Sequence, residues 1–378
     1  MDLNKKISLG KEAYQYIKKH IKEIWPGFEA VPFILYDDEN QAAFGTVCPK
    51  NFTQAEDGVW TKEGFDSALM GNTSINYHDL DIAIWNTRTW PEDVSISRAA
   101  AGIAHEMFHA FQGKKFSIPW ANELLQPDYP HSKESIAIVM EENKLLLETI
   151  KNQEKIFIKE CIKKIIILRE ERLKLLGEKY LNYDLSCESI EGTAAYVELN
   201  MKAKIEGNNI YAGGDKYFSA LENEDKLLLN YRHRCYTSGL VLCLACTLLF
   251  ENWEFEWMKS GKTIFDWIKE KIIITDEEKT LYNNSIEADI DTAEKLLGKF
   301  TEFKENKIKE FLNQNHKILE GEIELTGFDP MNLICSNKRC LHNMGKLKIN
   351  GEEQFITKPF LEEYGETIFD LKRILISN

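Results

Sequence analysis

Residues 95–112 read Ser-Ile-Ser-Arg-Ala-Ala-Ala-Gly-Ile-Ala-His-Glu-Met-Phe-His-Ala-Phe-Gln, and the five from His105 to His109 have the form H-E-x-x-H. The stretch predicts a helix. Ser95 or Ser97 supplies an N-cap hydroxyl, Ala99 to Ala101 favour helical backbone, and Gly113 stands where a glycine commonly ends a helix. Residues four apart share a helix face, so His105 and His109 can aim both imidazoles at one metal ion. Glu106 is then placed to act as general base on a water that the metal activates. Ile103, Met107, Phe108 and Ala110 lie on several sides, which predicts a helix buried within the fold. The competing reading is a buried helix whose two histidines are merely hydrogen-bonded in the core.

A catalytic zinc site needs a third protein ligand. The extended motif H-E-x-x-H-x-x-G-x-x-H would supply a His, but Gln112 holds its glycine position and Lys115 its last His position. The other source is a Glu from a later helix. The segment Glu188-Ser-Ile-Glu191-Gly-Thr-Ala-Ala-Tyr-Val-Glu198 is the candidate; it follows a loop-like stretch at 182–186 and continues in helical pattern through Met201. Taken with His105–His109, the run Glu191 to Glu198 resembles the gluzincin zinc metallopeptidases, in particular the E-G-x-A-x-Y-x-E helix of aminopeptidase-like members. The resemblance covers roughly residues 31–250. It implies zinc held by His105, His109 and Glu191, Glu106 as general base, and hydrolysis of a peptide or protein substrate. Glu188, one turn earlier, stays open as a rival ligand or as a carboxylate bracing one. Thermolysin-like members carry an Asp four residues after the ligand Glu, where this chain has Ala195; Glu188 or Glu198 can substitute. The G-x-M-E-N signature that holds the substrate amine in one large aminopeptidase family is not evident, so endopeptidase and aminopeptidase both stay open.

Further along, Tyr231-Arg232-His233-Arg234-Cys235-Tyr236-Thr237-Ser238-Gly239 leads into the apolar helix Leu240–Phe250. This segment resembles the Y-x-x-G turn that opens a helix in aminopeptidase-like members. The chemistry needs a donor aimed at the negative charge that develops on the substrate carbonyl. Tyr236 is the first candidate, with His233 and Arg234 behind it. The alternative is that these groups only cap the helix.

The remaining pattern predicts an α+β fold with a zincin-like core. An N-terminal helix (Lys11 to Trp25, ending at Pro26-Gly27) and a small sheet occupy 1–92. The strands are Val31–Tyr36, Ala43–Cys48, Thr73–Tyr77 and Asp81–Trp85, with His78 in the last turn. An edge strand of that sheet is expected to pair with extended substrate. A helical zinc-binding region fills 93–315, with a helical hairpin (Ser132–Asn152, Gln153–Leu176) inserted at about 131–180. From 316 to 378 a small β-rich unit is expected, with strands at Glu322–Leu325, Gly345–Ile349 and Gln354–Thr357.

A chain of 378 residues can bury ample core in two or three units. The net charge of −14 argues against nucleic acid as main partner. Leu240–Phe250 is too short to span a membrane. Eight irregularly spaced cysteines, and an opening Met-Asp-Leu-Asn-Lys-Lys without an apolar leader, read as reduced thiols in a cytoplasmic protein. Cys243 and Cys246 read as packing, while Cys335, Cys340 and His342 form a weaker candidate metal group. Nothing in the pattern sets the oligomeric state. Two further readings stand beside the peptidase. One is a degenerate gluzincin scaffold acting as a binding or regulatory protein, against which the intact His105, Glu106, His109 and Glu191 count. The other is a deformylase-like or amidase-type zinc hydrolase, against which the Glu191–Glu198 helix counts.

Overall fold

A computed structural model describes the whole chain except residues 46–48, 212–214, 230, 286–287, 320, 367–369 and 378. Helix α1 (Leu3–Ile24) begins eight residues earlier than its apolar pattern suggested, because the Asp2 carboxylate accepts from the Lys5 amide and caps it. Six strands follow: β1 (Phe33–Tyr36), β2 (Asn40–Phe44), β3 (Thr53–Glu56), β4 (Val59–Glu63), β5 (Thr73–Tyr77) and β6 (Leu80–Asn86). They form one sheet in the order β3-β4-β2-β1-β6-β5, antiparallel except where β1 pairs with β6. The β3–β4 hairpin was not foreseen. All four residues of β3 are exposed, so no apolar alternation marks them. The expected strand reaching Cys48 stops at Phe44, and its end lies outside the described residues.

The middle of the chain is helical. Helix α2 (Ile96–Lys115) carries the H-E-x-x-H residues and is buried almost throughout, with Ser95 as N-cap. Gly113 does not end it; the helix runs on to a cap at Phe116. Helices α3 (Lys133–Lys151) and α4 (Lys155–Leu176) form the expected hairpin. Helix α5 (Glu178–Glu206) starts after Gly177, whose φ of +77° turns the chain. The stretch 182–186 is part of α5 and no loop, because Tyr183 to Ser186 are buried there and Asp184 ion-pairs with Arg172. After α6 (Asp215–Glu222), α7 (Tyr231–Leu249) is continuous, so Tyr236 to Gly239 is a helical turn and not an opening one. Helices α8 (Trp253–Ser260), α9 (Ile264–Lys271), α10 (Asp276–Ser285) and α11 (Ile290–Leu312) complete the region. No helix among the described residues is long and apolar enough to cross a membrane.

The C-terminal unit is more regular than three alternating segments implied. Strands β7 (His316–Leu319), β8 (Ile323–Phe328), β9 (Ile334–Ser336), β10 (Arg339–His342), β11 (Gly345–Ile349), β12 (Glu352–Ile356), β13 (Phe360–Tyr364) and β14 (Leu371–Ser377) make two antiparallel sheets. Their orders are β7-β14-β13-β10-β9 and β12-β11-β8. Cys335 and Cys340 face each other across the β9–β10 pair and form a disulfide, which corrects the reading of all eight cysteines as reduced. The same bond withdraws both sulfurs from any metal group, and His342 instead meets Glu362 at 2.8 Å. Cys243 and Cys246 are buried packing residues, as expected.

Helices α5 and α7 cross backbone to backbone. A Cβ added at Gly239 would lie 2.2 Å from the Glu188 carbonyl oxygen and 2.8 Å from the Gly192 Cα. We therefore expect Gly239→Ala to destabilise the protein by about 1–3 kcal/mol, since neither backbone can yield easily. Gly113→Ala, with nothing within 4 Å, should be neutral or stabilise by up to about 1 kcal/mol. Chemical denaturation of the two variants would test this; equal effects would refute the crossing.

Candidate metal centre

Helix α2 places His105 and His109 one turn apart with ring centroids 4.9 Å apart, and α5 brings Glu191 across to them. Glu191 Oε2 lies 3.7 Å from His105 Nε2 and 3.2 Å from His109 Nε2. One ligand atom from each residue falls within 4.8 Å of the others. All three side chains are buried, at the floor of a cleft of about 1250 Å³.

The outer nitrogens of both rings are fixed by partners. The Gln112 amide nitrogen donates to the Ile190 carbonyl (2.7 Å) and to the Thr193 hydroxyl (2.9 Å), whose own proton goes to the Ser189 carbonyl. Those acceptors leave the Gln112 oxygen facing His109 Nδ1 at 2.7 Å, so Nδ1 carries the proton. His105 Nδ1 meets the Glu198 carboxylate at 3.1 Å, and a carboxylate there can only accept. With both Nδ1 atoms protonated, each neutral ring turns an Nε2 lone pair inward. Glu191 Oε2, which faces them, has no hydrogen-bond partner. Three inward acceptors without a donor between them repel one another unless a cation or proton joins them. This donor set, two imidazoles and a carboxylate, fits zinc with a position left open for water.

In the absence of metal a proton takes that role. Burial opposes charge on His105, but Glu191 and Glu198 outweigh it and hold the imidazole well above its ordinary range. Burial likewise opposes the Glu191 carboxylate, yet His109, His105 and Arg232 hold it well below the usual value. Glu106 goes the other way, raised chiefly by burial, as suits a residue that accepts a proton.

The α7 candidates separate by position. Tyr236 lines the cleft beside His105, with ring centroids 6.1 Å apart. Burial, with Glu191 behind it, pushes its phenol well above the usual range, so it keeps its proton. His233 also lines the cleft and is neutral, its pKa lowered by burial and Arg232. Arg234 does not reach the cleft. It is fully buried, bonded to Asn143 and Glu142, and cannot act as an oxyanion donor. Glu188 is likewise no rival ligand, since Arg169 binds both its oxygens at 2.7 Å and Ser238 donates to it. His78 sits against Tyr77 in the β5–β6 turn and does not line the cleft.

Arg232 is the site residue that sequence reading passed over. It donates to Glu191 Oε1 (3.0 Å), to Glu123 (2.8 Å) and to the Tyr236 oxygen (2.6 Å). It therefore fixes the carboxylate whose other oxygen faces the histidines. By filling an acceptor site on Tyr236, it also leaves that phenol's own O–H free to donate. Only its place four residues before Tyr236 on a helix could have pointed to it.

Two outcomes follow. Gln112→Ala should weaken zinc binding about 10–100-fold in chelator competition, because His109 loses the partner that fixes its tautomer; unchanged affinity would show that Gln112 does not orient the ring. Zinc uptake should also release close to one proton near neutral pH, drawn from His105, measurable by calorimetry in buffers of different ionisation enthalpy. In the metal-free protein the raised His105 pKa gives stability that is complete below the ordinary value of 6.5 and is lost as pH rises through the folded value. Zinc affinity should rise over that upper window. A pH-independent affinity would contradict the protonated resting state. No protein-family model, curated protein or solved structure matches this chain, so the reading of the site rests on its own geometry.

Proposed function

We propose that the protein is a zinc-dependent peptidase with a zincin-like core of the gluzincin kind. The observation that carries this reading is the convergence of His105 Nε2, His109 Nε2 and Glu191 Oε2, ligand atoms that lie within 4.8 Å of one another. It lies on an open cleft that also exposes Glu106 and Tyr236. Zinc, when bound there, supplies a Lewis acid that activates water and polarises the scissile carbonyl. Glu106 takes the proton from the attacking water and passes it to the leaving amine. The Tyr236 hydroxyl donates to the carbonyl oxygen as charge develops on it. The outer edge of β5 has no strand partner among the described residues, and Thr73 at its start lines the cleft, so an extended peptide can add to the sheet there. Trp85, Trp120 and Phe328 line the same space and favour apolar side chains. Phe65 and Phe355, whose rings stack 6.2 Å apart, line it as well.

Glu106→Gln should keep its zinc and its fold while peptide hydrolysis falls about 10²–10⁴-fold. Tyr236→Phe should lower kcat about 10²–10³-fold with little change in KM. A peptide library digested by zinc-loaded protein and read by mass spectrometry would test both. No cleavage by the loaded wild type, or equal cleavage by Glu106→Gln, would end the proposal.

A further inference from the structure

A second cavity, of about 360 Å³, lies behind the catalytic cleft, between the segment 126–131, the start of α7, the middle of α11 and residues 331–335. It is of a size that small ligands occupy, roughly 300–1,000 Å³. The Arg232 guanidinium and the Met331 sulfur, 3.0 Å apart, line both spaces and stand between them. No acidic side chain lines this cavity, although the chain carries a net charge of −14.

Five polar side chains that line it, Gln126, His131, His233, Lys304 and Asn343, have no hydrogen-bond or ion-pair partner among the described residues, and two of these meet at Phe300. One is the Lys304 ammonium, half-buried over the Phe300 ring at 4.5 Å. The other is the His131 imidazole, whose ring meets the edge of the same Phe300 at 5.8 Å. Burial and the positive charges of Lys304 and Arg172 hold that imidazole neutral, pushed down to about 3. Arg172 is already paired with Glu142 and Asp184, which leaves Lys304 as the cation of this cavity without an ion-pair partner among the described residues. Phe300, Phe303, Tyr129 and Leu229 supply apolar walls. Arg232, though near, is already committed to Glu123 and Glu191.

We infer that this cavity binds an organic monocarboxylate with an apolar or aromatic body, its carboxylate held between Lys304 and His131. One cation and one neutral N–H match a single negative charge; a phosphate dianion would leave charge unmet. The carboxylate can belong to a free small acid or to the C-terminus of a peptide reaching past Met331 from the cleft. The site itself does not depend on the peptidase reading.

Calorimetric titration with N-acetyl-phenylalanine, and with its uncharged amide as control, tests the inference. The acid should bind at least about tenfold more tightly than the amide. Lys304→Met should reduce acid binding to the level of the amide without changing zinc content or melting temperature, and Lys304→Arg should retain it. Glu191→Ala protein should still bind the acid, which separates this site from the metal and from the hydrolase proposal. Equal binding of acid and amide, or acid binding indifferent to Lys304→Met, overturns the inference. In Glu106→Gln protein, displacement of the acid by a peptide with a free C-terminus but not by its C-terminal amide identifies the substrate as occupant. Displacement by neither identifies a separate small acid.

Discussion

At Gly192 and Gly239 the backbones of α5 and α7 meet with no side chain between them, and this crossing sets where Glu191, Arg232 and Tyr236 can stand against one another. Gly192 follows Glu191 directly. Gly239 lies three residues after Tyr236 and seven after Arg232, on nearly the same helix face. Any side chain at the crossing would push α7 outward and lift Arg232 and Tyr236 from Glu191. The reach from the Arg232 guanidinium to Glu191 is a 3.0 Å bond and tolerates no such shift. The cost of two helix-interior glycines, about 0.5–1 kcal/mol each, is thus offset by close packing and by the placement of the donors.

Beneath the crossing lies a charged core. Glu142, Asp184 and Glu188 face Arg169, Arg172 and Arg234, all buried, with Tyr129 and Tyr231 bonded to Asp184. The formal charges balance, three against three. Such a network is weak evidence for stability, since desolvation consumes most of the Coulomb gain. Its directional bonds join α3, α4, α5 and α7 in one register, and this explains why two glutamates one turn apart on α5 differ. Glu188 points into the arginines with both oxygens bound, while Glu191 points to the cleft with one oxygen held by Arg232 and the other unpartnered.

Local pattern carried much of this. The H-E-x-x-H helix, its Ser95 cap, the α3–α4 hairpin and β5 were legible because each is coded by neighbours within a few turns. Glu191 was legible through its Gly-Thr-Ala-Ala context. What escaped depends on contacts distant in sequence. A run containing Asp184 and Ser186 looks like a loop until Arg172 and the core bury it. Gly239 looks like a helix start until Gly192 is seen against it. Arg234 and Arg232 are indistinguishable in the sequence, yet a two-residue step turns one into the core and the other toward Glu191 in the cleft. Cys335 and Cys340 read as free thiols because the strand pairing that opposes them was unmarked, β9 being only three residues long.

The charges around the candidate metal centre bear on the role proposed for Glu106. Glu191, Glu198 and the Glu123 carboxylate bonded to Arg232 contribute three negative charges, Arg232 one positive, and both imidazoles are neutral in the tautomers their partners impose. A dication would bring this set to neutrality, so its pull on Glu106 would act through proximity and not through a net positive charge. Burial raises the Glu106 pKa in the protein alone, but the field of a bound dication acts in the opposite direction and favours the carboxylate. The two effects bring Glu106 toward the condition a general base needs, ionised at rest yet able to hold a proton briefly. Gln112 matters to the same balance. A carboxylate in its place behind His109 would add a further negative charge and push Glu106 toward protonation. The neutral amide fixes the tautomer without that cost, because the Ile190 carbonyl determines which end of Gln112 faces the ring.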